Sequence, residues 1–464
     1  MQDYKFNEYE YHDPRNVRMF TNSLPMSYAR RYWGRFLHYD PLFLVTLLVF
    51  QTIAAVFYWR FTGWDTLDGG MSWMGEASAL LREGKFGESF APLTSVYLAI
   101  MMWLLGETIV ATKIALLVVF LFSTIAMHYT ALRMTSDFRA ARISSAILAC
   151  SPLLYYQTIT AGYELPSVLI HILLILAATR AYRFQTWGSA AVLGLVAGLG
   201  ALVKASMGAL GIVVVLYFLL LAIFAKNEQR RIWARCAIAI LVFSVPTVSW
   251  MARNKSRNGY FALADPAYSA HTWFHGNNPW ATKGFPVLGD DATPEYRDCI
   301  TQIRNSVAPG DSVGLAKAYR EYVRQYIFRD PFHWFVVMGV KKIWCGFKCY
   351  GRLELLHWAP IVPLAIFGLW ALFTYGRHTL IVHVLFLNYV LNTYIFFGFS
   401  RYRVAYLPVF VLLATSAMLW FYDRVERKRF VAGAVSYALL FIFAYSFARP
   451  LRMLWLHYIP WLRM

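Results

Sequence analysis

The chain consists largely of apolar runs, many of them close to 20 residues long, separated by short polar loops. A run of about 20 apolar residues crosses roughly 30 Å of hydrocarbon as a helix, and a helix satisfies its own backbone hydrogen bonds where water is excluded. Charged residues are only 15% of the 464 residues, whereas soluble domains contain roughly 25%. The sequence therefore predicts an all-α polytopic membrane protein.

The hydropathy pattern predicts about 11 transmembrane helices. They occupy residues 41–59, 112–132, 142–155, 165–180, 188–203, 205–224, 236–251, 356–375, 380–399, 404–422 and 430–447. Two further helical segments, 91–105 and 332–349, are expected to lie along the outer membrane surface instead of crossing it. Within the fifth span, the small residues of "GLVAGLG" are typical of a helix-packing face.

Basic residues are concentrated in four loops that this arrangement places on one side of the membrane: "ALRMTSDFRAAR", "RAYRF", "AKNEQRRIWAR" and "DRVERKRF". An excess of Lys and Arg marks the cytoplasmic face. Because the net charge of +19 is divided among such loops, it reports orientation and does not indicate a nucleic-acid partner. We expect a cytoplasmic N-terminal segment at 1–40, an N-terminal transmembrane catalytic module at 41–251 with its first outer loop at 60–111, an outer loop and interfacial helix at 252–355, and C-terminal transmembrane helices at 356–464.

The opposite, outer face gathers carboxylates and cations from spans that are distant in sequence. They are Asp65, Asp68, Glu164, Lys204, Arg253, Arg401 and Arg403. A carboxylate can accept the proton of an attacking hydroxyl, while Arg and Lys bind phosphate and stabilise the charge that grows on a phosphate leaving group. The chain shows no module for a nucleotide sugar, so a lipid-linked phosphate donor fits better.

Five stretches carry a resemblance to a known family. They are "ACSPLLYYQTITAGYELPSVLIHILLILAATRAYR", "GLVAGLGALVKASMGALGIVV", "VPTVSWMARNKSRNGYFAL", "WFHGNNPWATKG" and "GFSRYRVAYLPVFVLLA". Together they resemble the multi-spanning glycosyltransferases of the GT-C class, in particular the bacterial branch related to protein O-mannosyltransferases and to the lipid A aminoarabinose transferase. The resemblance covers residues 41–422.

This resemblance implies a sugar donor carried on a polyprenyl phosphate and an acidic residue in the first outer loop. Asp68 has the expected order of residues after it, with Trp73, Ala77 and Gly84, so the resemblance favours Asp68 over Asp65 as the catalytic base. Asp65 becomes a helper or a solvated neighbour. Glu164, which stands where the family often has an acidic residue, is also predicted to be catalytic.

One departure from the family concerns the donor phosphate. Many relatives carry Lys or Arg immediately before the proline of the next helix, but here Pro92 follows Phe90 and Ala91. The predicted phosphate ligands are therefore Lys85, Lys204, Arg253, Arg401 and Arg403. The predicted substrate-binding side chains are Trp73, Tyr163, Asn277, Asn278 and Tyr402.

The expected function is transfer of a hexose or pentose, with inversion, to a hydroxyl of a glycan, lipid or protein. By resemblance the enzyme lies in a bacterial inner membrane with its active site outside. A transporter or flippase of lipid-linked sugar is the alternative, and a structural scaffold is a third hypothesis. No cofactor is predicted, and metal dependence stays open. His271 and His275 are spaced as on one face of a helix, but Gly276 and Pro279 argue against a helix there.

Overall fold

The computed structural model describes residues 26–68, 71–87, 91–225, 228–281, 293–347, 352–396, 403–425 and 433. Regular structure in these residues is helical throughout, so the predicted all-α class is confirmed. The predicted span 430–447 lies outside the described residues except for Gly433. By its contacts the chain divides into Met1–Phe50 and Gln51–Met464.

The described helices follow one another along the chain. They are α1 (Met26–Thr62), α2 (Met71–Glu83), α3 (Pro92–Leu105), α4 (Ile109–Thr135), α5 (Phe138–Ala149), α6 (Pro152–Gln157), α7 (Glu164–Phe184), α8 (Trp187–Val203), α9 (Leu210–Phe224), α10 (Gln229–Asn258), α11 (Pro266–Gly276), α12 (Pro294–Asn305), α13 (Ser312–Arg329), α14 (Gly339–Phe347), α15 (Arg352–Phe373), α16 (Leu380–Ile395) and α17 (Leu407–Arg424). Short 3-10 turns at Ala205–Ala209 and Arg377–Thr379 precede α9 and α16, and a π-helical turn at His333–Met338 precedes α14.

Within the first unit, the described residues form the N-terminal part of α1. Pro41 lies inside this helix, and the Thr46 hydroxyl donates to the Leu42 carbonyl at 2.8 Å.

Six helical segments in the described residues are long and apolar enough to cross a membrane, which supports a multi-pass protein. They are Asp40–Thr62, Ile109–Thr135, Glu164–Phe184, Ala205–Phe224, Gln229–Asn258 and Arg377–Ile395. Shorter apolar helices are Pro92–Leu105, Trp187–Val203 and His357–Phe373. The expectation that α3 and the 332–349 segment lie along the membrane surface stays a prediction.

The predicted single span at 142–155 is divided in the structure. Helix α5 ends at Ala149, and α6 starts again at Pro152 after Ser151, whose backbone is extended. The residue before a proline is pushed out of the helical region, and proline itself fits the first position of a helix. The break brings α6 and the turn after it to the start of α7.

Close packing of α8 on α10 confirms that "GLVAGLG" is a helix-packing face. A Cβ on Gly194 would lie 2.0 Å from the Ala239 carbonyl oxygen, and one on Gly198 would lie 2.9 Å from that of Phe243. Only glycine lets the two backbones approach this closely.

The segment after α10 begins later than predicted. Helix α10 continues beyond residue 251 to Asn258, where Gly259 ends it with a φ of 79°, a conformation that favours glycine. Helices α11, α12 and α13 then pack around Phe274, Tyr296 and Tyr319. His271 and His275 do lie on a helix, α11, because the break at Gly276 comes only at its last residue.

Candidate functional site

The first outer loop leaves α1 at Gly63, whose φ of 94° requires a residue without a side chain. Lys113 on α4 fixes this point, since its ammonium donates to the Gly63 carbonyl at 2.6 Å. The Thr66 hydroxyl donates to the Thr62 carbonyl at 2.5 Å. The loop that carries Asp65 and Asp68 is thus held at its origin, and both carboxylates are exposed.

Asp68 is anchored to the chain that follows α6. Its amide donates to the Ile159 carbonyl at 2.9 Å, and the Tyr156 hydroxyl donates to its Oδ2 at 2.5 Å. A carboxylate that is exposed and yet oriented by a hydrogen bond is suited to accept a proton from a bound hydroxyl.

The turn between α6 and α7 is itself tightly held. The Trp59 indole donates to the Thr158 hydroxyl at 2.8 Å, and Ala161 is fully buried with a φ of 42°. A non-glycine residue in this left-handed region is strained and persists only where its surroundings impose it. The strained turn delivers Tyr163 and Glu164 to the start of α7.

Three predicted site residues meet next to this turn. The rings of Trp73 and Tyr163 are in edge contact, with centroids 5.6 Å apart. The Lys204 ammonium lies 4.2 Å from the centre of the Tyr163 ring, within range of a cation–π interaction. The Tyr163 ring thus contacts both Trp73 of the first outer loop and Lys204, the residue that follows α8.

Glu164 differs from the two aspartates because it is buried, with 1% of its surface exposed. It occupies the first turn of α7, where the helix dipole stabilises negative charge. Because Glu164 is buried directly after Tyr163, it is suited to supporting the position of the Tyr163 ring.

Glu76 on α2 belongs to the same region, although the sequence analysis did not select it. The Ser95 hydroxyl of α3 donates to its Oε2 at 3.0 Å. Burial raises the pKa of the Glu76 carboxyl, and the Ser95 hydrogen bond opposes this in part. Gly87 lies directly over it, since a Cβ there would come 2.1 Å from Oε1.

The remaining predicted phosphate ligands on the N-terminal side occupy two different environments. The half-buried Arg253 guanidinium lies 4.8 Å from the Trp250 ring centre and 5.5 Å from that of Phe86. The Lys85 side chain is 76% exposed and pairs with Glu83 at 2.9 Å. An exposed pair of this kind contributes little to stability, so Lys85 is a solvated residue in this structure.

Arg403 lies deep among the C-terminal helices. It is 1% exposed, donates to the Gly346 carbonyl at 3.3 Å and stacks over Trp358 at 4.9 Å. Arg401 and Tyr402, predicted beside it, lie outside the described residues.

Asn277 and Asn278 are buried, each with 1% exposure. The Asn278 amide donates to the Phe274 carbonyl at 2.7 Å. Asn277 bonds to residues of four elements: its Nδ2 donates to carbonyls of α11 and α16, and its Oδ1 accepts from the Trp334 indole before α14 and from the Lys342 ammonium on α14. Both side chains hydrogen-bond within the protein, and their predicted contact with the sugar stays a prediction. Trp73 is likewise buried, with 3% exposure, and its ring packs against the partly buried Tyr163.

Two site residues were missed for a recognisable reason. Tyr156 lies in the apolar run "LLYYQ", where it reads as part of a span, and Glu76 lies in "GEASALLREG", where one carboxylate among other polar residues carries no signal. Within the described ranges, no group of three or more His, Cys, Asp or Glu is arranged to hold a metal ion.

Residues 89–250 match the model of the dolichyl-phosphate-mannose-protein mannosyltransferase family. No curated protein matches the chain. The family match covers the end of the first outer loop and the helices up to α10, and therefore includes Tyr156, Tyr163, Glu164 and Lys204.

Solved structures of two kinds are similar in fold. The apo oligosaccharyltransferase of Archaeoglobus fulgidus aligns with a TM-score of 0.54 at 10% identity, over 84% of this chain and 52% of that one. The archaeal oligosaccharyltransferase AglB of the same organism, in complex with an inhibitory peptide and a dolichol-phosphate, aligns with a TM-score of 0.53 at 11% identity, over 88% and 55%. ArnT from Cupriavidus metallidurans bound to undecaprenyl phosphate aligns with a TM-score of 0.50 at 14% identity, over 84% and 63%.

These structures support the expected GT-C-like fold. The chain spans about half the length of the oligosaccharyltransferases that it matches. The comparisons do not favour the alternative of a transporter.

Proposed function

We propose that this chain is a membrane glycosyltransferase that moves a sugar from a polyprenyl-phosphate donor to a hydroxyl acceptor, with inversion at the anomeric carbon. The observation that carries the proposal is the convergence of the oriented Asp68 carboxylate, the Trp73–Tyr163 aromatic pair and the Lys204 ammonium around the turn between α6 and α7. A base and a cation are the parts that this reaction needs, and the Tyr163 ring, packed on the buried Trp73, lies beside the cation.

In the proposed reaction, Asp68 accepts the proton of the acceptor hydroxyl while the oxygen of that hydroxyl forms a bond to the anomeric carbon. The bond between that carbon and the phosphate oxygen breaks, and polyprenyl phosphate leaves with the electron pair. Tyr156 occupies Oδ2 of Asp68, which leaves Oδ1 to take the proton. Lys204 stabilises the departing phosphate as a point charge.

The donor class is supported by the undecaprenyl phosphate bound to the Cupriavidus ArnT and the dolichol-phosphate bound to AglB. The acceptor peptide tethered to the archaeal enzyme supports a protein acceptor, next to the glycan and lipid acceptors that the sequence leaves open. By the family resemblance we place the protein in a bacterial inner membrane. We place this site on the outer side because the sequence predicts the basic loops on the opposite side. The sugar is a hexose or a pentose.

The decisive experiment measures transfer from a radiolabelled polyprenyl-phosphate sugar to extracted lipid, glycan and peptide acceptors by purified protein. Asp68→Asn should lower turnover by about 10²–10⁴-fold, the range expected for loss of a general base. Asp298→Asn makes the same chemical change at an exposed position on α12 and is the matched control. Near-normal turnover in Asp68→Asn would refute the assignment of the base.

A further inference from the structure

Arg235 ends the predicted basic loop "AKNEQRRIWAR", but the structure includes it in α10, which begins at Gln229. Arg253, a predicted phosphate ligand of the outer face, lies 18 residues later on the same helix, which corresponds to about 27 Å. This distance is close to the roughly 30 Å of hydrocarbon in a bilayer. Arg235 therefore lies near the membrane surface opposite the candidate site.

The Arg235 side chain lies on the inner face of α10. Its relative exposure is 6%, and Ile232, Cys236 and Ala239 are buried on the same face. Its Nε donates to the Arg231 carbonyl at 3.2 Å, so the side chain is directed one turn back, toward the membrane surface. In the described residues no carboxylate forms an ion pair with this guanidinium. Burying a charge without such a partner is costly, so an anion at this point would stabilise the protein.

A neighbouring helix forms the surroundings of Arg235 at the same depth. Tyr217 of α9 is fully buried and lies within electrostatic range of Arg235, and its hydroxyl donates to the Ala178 carbonyl of α7 at 3.0 Å. The three residues lie six or seven positions from the ends of their helices on the basic-loop side, about 10 Å along each helix. The guanidinium thus lies beside a fixed part of the helix bundle, just inside the membrane surface.

Arg231 adds a second cation one helical turn before Arg235. The two positive charges act on each other unfavourably, as like charges at this spacing do. Glu228 is near enough to oppose this electrostatically, but among the described side chains it forms an ion pair with neither arginine. Two guanidiniums at this spacing can donate to the oxygens of one phosphate group, which would replace their repulsion with attraction.

The outer surface of α10 gives a lipid access to this pair. Only 28% of the most apolar stretch of α10 is buried, and Trp233, two residues before Arg235, is 43% exposed. Tryptophan is enriched where lipid headgroups meet the hydrocarbon, so Trp233 indicates that Arg235 lies at the depth of the headgroups. A phospholipid can therefore approach the pair from the side.

We propose that Arg235 and Arg231 bind the phosphate of an anionic phospholipid in the membrane leaflet on the side of the basic loops. Basic pockets between transmembrane helices on the cytoplasmic side of membrane proteins bind such headgroups. Because this site lies at the opposite membrane surface from Asp68 and Lys204, the inference does not rest on the proposed function.

The test measures binding of phosphatidylglycerol to the purified full chain by native mass spectrometry, with phosphatidylcholine as the zwitterionic comparison. Arg235→Met should weaken phosphatidylglycerol binding about ten-fold, because it removes hydrogen bonds to a charged group. Arg231→Met should weaken it about three-fold, since an exposed charge contributes less, and its exposure makes it the second variant if Arg235→Met does not fold. Arg230→Met is the matched control: it removes another exposed charge on a different face of α10 and should change binding less than two-fold.

Thermal unfolding in detergent separates a lipid from a free anion. Phosphatidylglycerol should raise the midpoint of the wild type more than phosphatidylcholine or inorganic phosphate does, and Arg235→Met should lose this difference. Equal effects of phosphatidylglycerol and either comparison would overturn an anionic lipid as the ligand.

Two further outcomes of the binding measurement overturn the inference. Equal weakening by Arg230→Met and Arg235→Met would mean that the lipid is attracted by surface charge in general. Unchanged binding in Arg235→Met and Arg231→Met would mean that Arg235 only extends its charged end toward water. A wild type that fails to transfer sugar refutes the proposed function and leaves this inference intact.

Discussion

The Tyr156 hydroxyl donates a hydrogen bond to Oδ2 of Asp68, which precedes it by 88 residues. Three residues after Tyr156, the Ile159 carbonyl accepts from the Asp68 amide at 2.9 Å. The candidate base is therefore oriented by the turn after α6 and not by its own loop alone. Any substitution that loosens this turn should affect Asp68 before it affects the rest of the fold.

Tyr156→Phe removes the hydrogen bond and keeps the ring. A hydrogen bond to a charged group contributes about 1.5–3 kcal/mol, and the exposure of Asp68 places this one at the low end. We expect kcat to fall about ten-fold, with the donor KM and the thermal midpoint nearly unchanged. Tyr268→Phe makes the same change at an exposed position on α11 and is the control. An unchanged kcat in Tyr156→Phe would mean that Asp68 does not depend on Tyr156.

Lys204 and Lys85 are both predicted phosphate ligands, and the structure separates them. Lys204 faces the Tyr163 ring at 4.2 Å, whereas the Lys85 side chain is 76% exposed and paired with Glu83. Lys204→Met should raise the donor KM by about ten-fold, since Lys204 is only partly buried and a hydrogen bond to a charged group contributes about 1.5 kcal/mol at the low end. Lys85→Met should change it less than two-fold, because exposed ion pairs contribute about 0–1 kcal/mol. The measurement is steady-state kinetics at varied donor concentration. If Lys85 binds the phosphate, Lys85→Met will raise the donor KM more than Lys204→Met does.

The sequence was sufficient for the helical fold and for part of the site, for physical reasons that particular residues illustrate. Apolar runs predict helices directly, and the glycines of α8 predict a close helix contact. Asp65, Asp68 and Lys204 stand out as charged residues at the ends of apolar runs, whereas the choice of Asp68 with Trp73 came from the family resemblance, and their roles stay predictions. Asn277 shows the limit: an amide in a loop reads equally well as a sugar ligand or as a buried structural link, and the sequence does not show its hydrogen-bond partners.

Tyr156 and Lys342 could not be found in this way because their roles depend on partners that are far away in sequence. Tyr156 lies in an apolar run, and its contact with Asp68 requires the break between α5 and α6. Lys342 is one of two adjacent lysines on an amphipathic helix, and nothing local shows which of them is buried.

Two glycines of α8 provide a test of the helix contact with α10. A Cβ on Gly194 would lie 2.0 Å from the Ala239 carbonyl oxygen, whereas one on Gly188 meets nothing within 4 Å. Gly194→Ala should lower stability by about 1–3 kcal/mol through overpacking. Gly188→Ala should leave stability unchanged or raise it by up to about 1 kcal/mol, because alanine favours the helix. The measurement is the thermal midpoint of each variant in detergent. Equal midpoints for Gly194→Ala and Gly188→Ala would contradict the close approach of α8 and α10.

Lys342 should make stability depend on pH in a defined range. Burial lowers the pKa of its ammonium from 10.5 to about 7 in the folded protein. Between these values the unfolded chain holds a proton that the folded chain lacks, so folding becomes more favourable as pH rises, by about 1.4 kcal/mol per pH unit at most. Below pH 7 both states are protonated and this dependence disappears. Lys342→Met removes the group, so the stability of the wild type relative to this variant should rise from about pH 7 to about pH 10 and stay level below that range.

The measurement is the difference in thermal midpoint between wild type and Lys342→Met in a non-ionic detergent, taken across this pH range. Lys341→Met is the control, because Lys341 lies next to Lys342 and is only partly buried, so the difference between wild type and this variant should vary much less with pH. A level difference for Lys342→Met above pH 7 would mean that the Lys342 ammonium keeps its ordinary pKa, and that its surroundings compensate fully for burial. A difference that falls with rising pH would mean that the folded protein binds the proton more tightly than the unfolded chain does, which requires an anionic partner for Lys342 in place of the Asn277 carbonyl.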